Sequence, residues 1–113
     1  MTFLRFAEYF ESPKFQNQVF TLKEYKKWYR TQSPIGKFTY CSDWDGFNIP
    51  DYIFSDFAQG KFNPLTKNEK ELLNQTLLLK KPFYIIGVNI TNPFFFDTLD
   101  HEIAHGLYYL NSN

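Results

Sequence analysis

Apolar and polar positions follow two different rhythms along this chain, and the rhythms predict its elements. Residues 2–10, Thr-Phe-Leu-Arg-Phe-Ala-Glu-Tyr-Phe, are aromatic and partly alternating, which predicts a strand ended by Glu11-Ser-Pro13. Thr21-Leu-Lys-Glu24 has the form of a capping box. The helix it opens carries Leu22, Tyr25, Trp28 and Tyr29 as an apolar stripe, with Lys23, Lys26, Lys27 and Arg30 in solvent. Ser33-Pro-Ile-Gly36 reads as a turn, Lys37–Cys41 as an alternating strand, and Ser42–Pro50 as a polar turn carrying Trp44 and Phe47. Asp51–Gln59 reads as a short helix closed by Gly60. A second capping box, Thr66-Lys-Asn-Glu69, opens a helix over 67–79 that turns Leu72, Leu73, Leu77 and Leu79 to the core and stops at Lys80-Lys-Pro82. Phe83–Ile90 is β-branched and aromatic, the clearest strand in the chain. Asn92-Pro93 marks a turn, Phe94–Phe96 a bridge, and Asp97 the N-cap of a last helix over 97–110. The order β-α-β-α-α-β-α predicts an α+β fold, a small mixed sheet with about four helices, in a single domain over 1–113.

Composition adds one unusual feature. Aromatic residues make up 21% of the 113 positions, which implies a core built on ring packing with some rings left to line a groove. Twelve basic and twelve acidic residues cancel, so the electrostatic footprint of a nucleic-acid binder is missing. The start of the chain does not read as a signal peptide, no stretch is apolar enough to span a bilayer, and Cys41 has no second cysteine to pair with. The expectation is a soluble cytoplasmic protein.

The chemistry gathers in the last predicted helix. His101 and His105 are the chain's two histidines, and Glu102 follows the first. Residues four apart on a helix lie one above the other, so both imidazoles can reach one zinc ion at roughly 2.0–2.1 Å. Glu102 can then hold a water on that ion and accept its proton. At about 100° per residue, Leu99, Ile103, Leu107 and Leu110 form an aliphatic ridge nearly opposite the histidines, which therefore face solvent or a cleft. Tyr108 falls beside the pair; Glu102 and Tyr109 fall at one flank.

The stretch Asp100-His-Glu-Ile-Ala-His-Gly-Leu-Tyr-Tyr-Leu-Asn111 resembles the active-site helix of the zincin metallopeptidases, over about a dozen residues. The resemblance implies His101 and His105 as ligands of one zinc ion, Glu102 as general base, and a third protein ligand from further along the chain. It also implies a strand before the helix, as Phe83–Ile90 provides, with a sheet edge that can pair with a peptide substrate. Tyr108 or Tyr109 then becomes a candidate donor to the developing oxyanion, and Tyr108 is the one carried as a catalytic candidate.

A catalytic zinc site needs three protein ligands and an open position. Tyr108 and Asn111 stand where the metzincin pattern requires Gly and His, and neither Asp nor Glu follows Glu102. Three accounts remain. The chain is the N-terminal portion of a longer domain; or Asp97, Asp43 or Asp45 supplies the ligand from upstream; or a second chain supplies it in a homodimer. Asp43 and Asp45, with Asp-Gly turn chemistry, otherwise read as an ordinary turn, or with Trp44 and Phe47 as a wall beside substrate. The functional expectation is a zinc-dependent peptide hydrolase-like domain acting on a peptide or protein. The alternative is a non-catalytic protein-interaction domain that retains a zincin-like helix.

Overall fold

A helix, not a strand, begins the fold. The structure is a computed structural model that describes residues 2–44, 46–89 and 94–111. Leu4–Glu11 forms α1, and Leu4, Arg5, Phe6, Ala7 and Glu8 are buried in succession. Polar Arg5 and Glu8 are buried beside Leu4, Phe6 and Ala7, so polarity does not mark an outer face here, and the alternation of the rings imitates a strand. Its two charges are admitted because each is partnered. Arg5 Nε and Nη2 donate to the Glu69 carboxylate at 2.8 and 2.6 Å, and Nη1 donates to the Phe62 carbonyl at 3.0 Å. Glu8 Oε1 accepts from the Tyr25 hydroxyl at 3.0 Å.

Both capping boxes form. Thr21 and Glu24 open α2 (Leu22–Gln32), and Thr66 and Glu69 open α5 (Lys67–Thr76), with each pair exchanging side-chain and backbone bonds. The 37–41 segment departs from its predicted strand: it is irregular and then enters a single helical turn, α3 (Tyr40–Asp43). There Tyr29 and Thr39 both donate to Asp43. The predicted turn at 42–50 contains β1 (Gly46–Pro50), and α4 (Ile53–Ala58) follows. Gly60 ends that passage at φ +85°, a left-handed conformation that glycine adopts without strain. α5 stops at Thr76, three residues short of expectation, and leaves Leu77 and Leu79 exposed where the leucine pattern predicts burial.

β2 (Tyr84–Val88) pairs with β1 antiparallel, from Gly46↔Val88 to Pro50↔Tyr84. Among the described residues the sheet has these two strands, so it is antiparallel rather than mixed, and there are six helices rather than four. The last of them, α6, spans Phe95–Asn111. Strand alternation divides the ribbon. Phe47, Ile49, Ile85 and Gly87 face the main core, where Phe3 lies so close to Gly87 that a Cβ there would meet its ring at 2.7 Å. Gly46, Asn48 and Tyr84 face α6.

The core is aromatic, as composition implies. Phe57 and Phe62 stack at 4.0 Å and Phe6 lies 4.2 Å from Phe57, while Phe15, Phe20 and Tyr25 continue the cluster toward α2. Tyr40 is buried among these rings, with its hydroxyl toward the Glu8 carboxylate. No helix among the described residues is long and apolar enough to cross a membrane.

Candidate metal centre

α6 lies across the outer face of the ribbon and presents an unexpected side to it. The aliphatic ridge does not make the contact: Ile103 is 38% and Leu107 54% exposed, with Leu99 and Leu110 half-buried. The docked face consists of Thr98, Glu102, Gly106 and Tyr109, spaced by one turn and then slightly less. Two glycines permit the approach. A Cβ on Gly46 would lie 2.8 Å from Thr98 Cγ2, and one on Gly106 would lie 3.1 Å from the Tyr84 ring. Helix and strand approach closely because one side is bare at each contact, Gly46 beneath Thr98 and Glu102 and Gly106 against the Tyr84 ring. α6 begins at Phe95, and the Thr98 amide donates to the Phe94 carbonyl at 3.0 Å. Asp97 therefore sits inside the first turn, where it meets the positive helix end, rather than at the N-cap.

His101 and His105 come together on one flank of α6, as the spacing requires. Both side chains are exposed. Their Nε2 atoms are 3.1 Å apart and their ring planes are inclined at 83°. Two nitrogens each roughly 2.0–2.1 Å from a tetrahedral ion are about 3.3 Å apart, so the pair is within a few tenths of an ångström of a chelating geometry. The same separation suits a hydrogen bond between one Nε2–H and the other ring's lone pair. Tyr108 lies on the same flank and is 79% exposed.

Glu102 takes a different direction. It is 6% exposed, beneath the helix, and Asn48 Nδ2 donates to its Oε2. Asn48 Oδ1 in turn accepts from the Tyr84 hydroxyl at 2.5 Å. Desolvation, then the Glu102 charge, raises the Tyr84 hydroxyl to about 12, so at neutral pH it remains a donor. Tyr109 is committed elsewhere, donating to Asp51 Oδ1 at 2.5 Å, and desolvation followed by that bond raises it to about 12 as well. Asp51 Oδ2 accepts from the Phe83 amide at 3.3 Å. Asn48, Tyr84 and Asp51 carry no motif. Asn48 lies in a segment whose Asp-Gly start reads as a turn, Asp51 heads a predicted helix, and Tyr84 lies in the predicted strand, with nothing in the sequence to join the three.

No group of three His, Cys, Asp or Glu side chains suited to a metal occurs among the described residues. Asp97 is exposed one turn before His101, Asp43 is held by Tyr29 and Thr39, and Asp45 lies outside the described residues. A carboxylate that sequence reasoning passed over is in electrostatic reach. Glu11, at the end of α1, is raised first by desolvation and then by the Glu8 and Glu102 charges, while His105 lowers it. Trp44 and Phe47 are not beside the histidines. With Phe3, Tyr40, Cys41 and Val88 they line a cavity of about 150 Å³ reached from the core-facing side of the ribbon. The chain matches no known family model, curated protein or solved structure.

Proposed function

We propose that the chain is a zinc-dependent peptide hydrolase-like domain in which His101 and His105 hold one zinc ion and Glu102 is the general base. The observation that carries the reading is the 3.1 Å convergence of two exposed imidazole nitrogens, with a carboxylate fixed one residue away. Zinc, when bound, supplies the Lewis acidity that polarises a peptide carbonyl and acidifies water. The protein supplies position. Asn48 restrains Glu102 through Oε2, and the carboxylate would take a proton from the attacking water and return it to the leaving amine. Tyr108, free of the bond that occupies Tyr109, is the candidate donor to the oxygen where negative charge develops.

Glu102→Gln keeps the Asn48 contact through its amide oxygen and removes the base. The expected result is unchanged zinc binding with hydrolysis of a mixed peptide library lost. Hydrolysis that survives in Glu102→Gln would sink the mechanism. A second reading, a protein-interaction domain, is favoured by the aliphatic flank of α6, where Ile103 and Leu107 stand in solvent. It expects Leu107→Asp to abolish a partner's binding and to leave zinc binding intact.

A further inference from the structure

The histidine pair supplies half of a tetrahedral zinc site, and it stands on an exposed helix flank rather than in a closed cleft. We propose that a second copy of this chain supplies the other half, so that zinc links two chains through four imidazoles, His101 and His105 from each. The inference rests on the reading of these two residues as zinc ligands and adds a partner and a means of regulation for the same site.

Three observations carry it. The Nε2 atoms already converge to 3.1 Å, so each copy presents a preformed two-tooth clamp, and two such clamps related by a two-fold axis through the metal make a tetrahedron. Both rings are exposed, and the neighbour on the flank, Tyr108, extends into solvent where a symmetry-related helix would meet it. Charge favours the arrangement. Four neutral imidazoles leave the divalent charge uncompensated, and Asp97, one turn before His101 and exposed, brings one carboxylate from each copy to that side. The formal net charge of the chain is zero, so two copies approach without long-range repulsion.

A four-imidazole site has no open position, which is the hallmark of structural rather than catalytic zinc. The linked dimer is then a resting form. A chain vacated by its twin regains an open position but still needs a third protein ligand for hydrolysis, and chain concentration sets the balance between linked and single chains.

The test is analytical ultracentrifugation and native mass spectrometry of the chelator-stripped chain titrated with zinc sulfate. The expected result is a doubling of mass that is complete at one zinc per two chains and reversed by chelator. His101→Ala and His105→Ala each remain monomeric at the same zinc concentration, and Asp97→Asn requires several-fold more zinc to dimerise. The histidines are exposed, so circular dichroism of the variants should match the parent. One zinc per chain with no change in mass overturns the dimer and leaves the hydrolase reading standing. No specific zinc overturns both. A dimer that forms without zinc, or that survives His105→Ala, overturns the metal bridge.

Discussion

The contact between Arg5 and Glu69 offers the sharpest energetic test of how this small domain is held together. Arg5 is 3% and Glu69 0% exposed. The guanidinium makes a two-pronged bond to the carboxylate, donates to the Phe62, Phe20 and Pro64 carbonyls at 3.0, 3.3 and 3.2 Å, and lies 5.6 Å from the Phe62 ring centroid. One side chain of α1 thus fastens the start of α2, the 62–64 loop and α5. Arg5→Met fills most of the volume and leaves the carboxylate buried, with the Thr66 amide at 2.8 Å as its remaining donor. Removing one partner of a buried ion pair costs about 3–5 kcal/mol. The orphaned carbonyls push the value toward the upper end. A domain of this size has about 5–15 kcal/mol of stability, so the variant loses about a fifth of it or more. At about 4 °C per kcal/mol the melting temperature falls by about 12–20 °C.

The assay is urea unfolding followed by the fluorescence of Trp28, which packs on Phe15 and Tyr25 in the core. Glu69→Gln keeps the capping contact to Thr66 and leaves Arg5 its carbonyl partners, so it should cost about 1–3 kcal/mol. The double variant, with neither charge, should recover to within about 2 kcal/mol of the parent, because the orphaned charge, not the missing bond, is the large term. A cost below about 1 kcal/mol for Arg5→Met alone would refute the reasoning. So would a double variant no better than that single one.

Two further predictions concern α6 and the buried Glu8. Gly46→Ala places a methyl 2.8 Å from Thr98 Cγ2 and should destabilise by about 1–3 kcal/mol; adding Thr98→Ser, which removes the struck methyl, should restore part of the loss in the same urea titration. Glu8 has its pKa raised above 4.5 by desolvation, opposed by the hydroxyls of Tyr40 and then Tyr25. A raised carboxyl pKa means that the folded state favours the protonated form, so stability is full below about 4.5 and is lost as pH rises through the folded value. Glu8→Gln mimics the protonated form, and its melting temperature should match the parent near pH 4 and exceed it at pH 7; a parent at least as stable at pH 7 would contradict the assignment.

What the sequence discloses here is local. The two capping boxes are legible because each is complete within four residues, side chain and backbone satisfying each other without outside help. The histidine spacing is legible for the same reason, since one helical turn brings the rings together whatever the rest of the chain does. α1 is hidden because its ring alternation imitates a strand, and the partners that make buried Arg5 and Glu8 tolerable lie 64 and 17 positions away. β1 was hidden because Gly46–Pro50 becomes a strand by pairing with Tyr84–Val88, and its own residues carry turn signals. The docked side of α6 was misjudged for a related reason. A leucine ridge ordinarily seeks a core, but the surface on offer is a polar strand face with Asn48, Tyr84 and a bare Gly46, and it accepts Thr98, Glu102, Gly106 and Tyr109.

The ribbon standing between α6 and the aromatic core has a consequence for how the molecule breathes. α1, α2 and α4 carry rings of the main core, whereas α6 meets the ribbon through hydrogen bonds from Asn48 and Tyr109, the Tyr84–Tyr109 ring pair and the glycine contacts. Such a helix can lift away and settle back while the Phe6–Phe57–Phe62 stack stays closed, so its amides exchange with solvent at a lower free energy than those of α1. Both histidines ride on that element. Anything that clasps them holds the helix down, and by mass action its affinity carries the free energy of keeping this one layer of the protein shut.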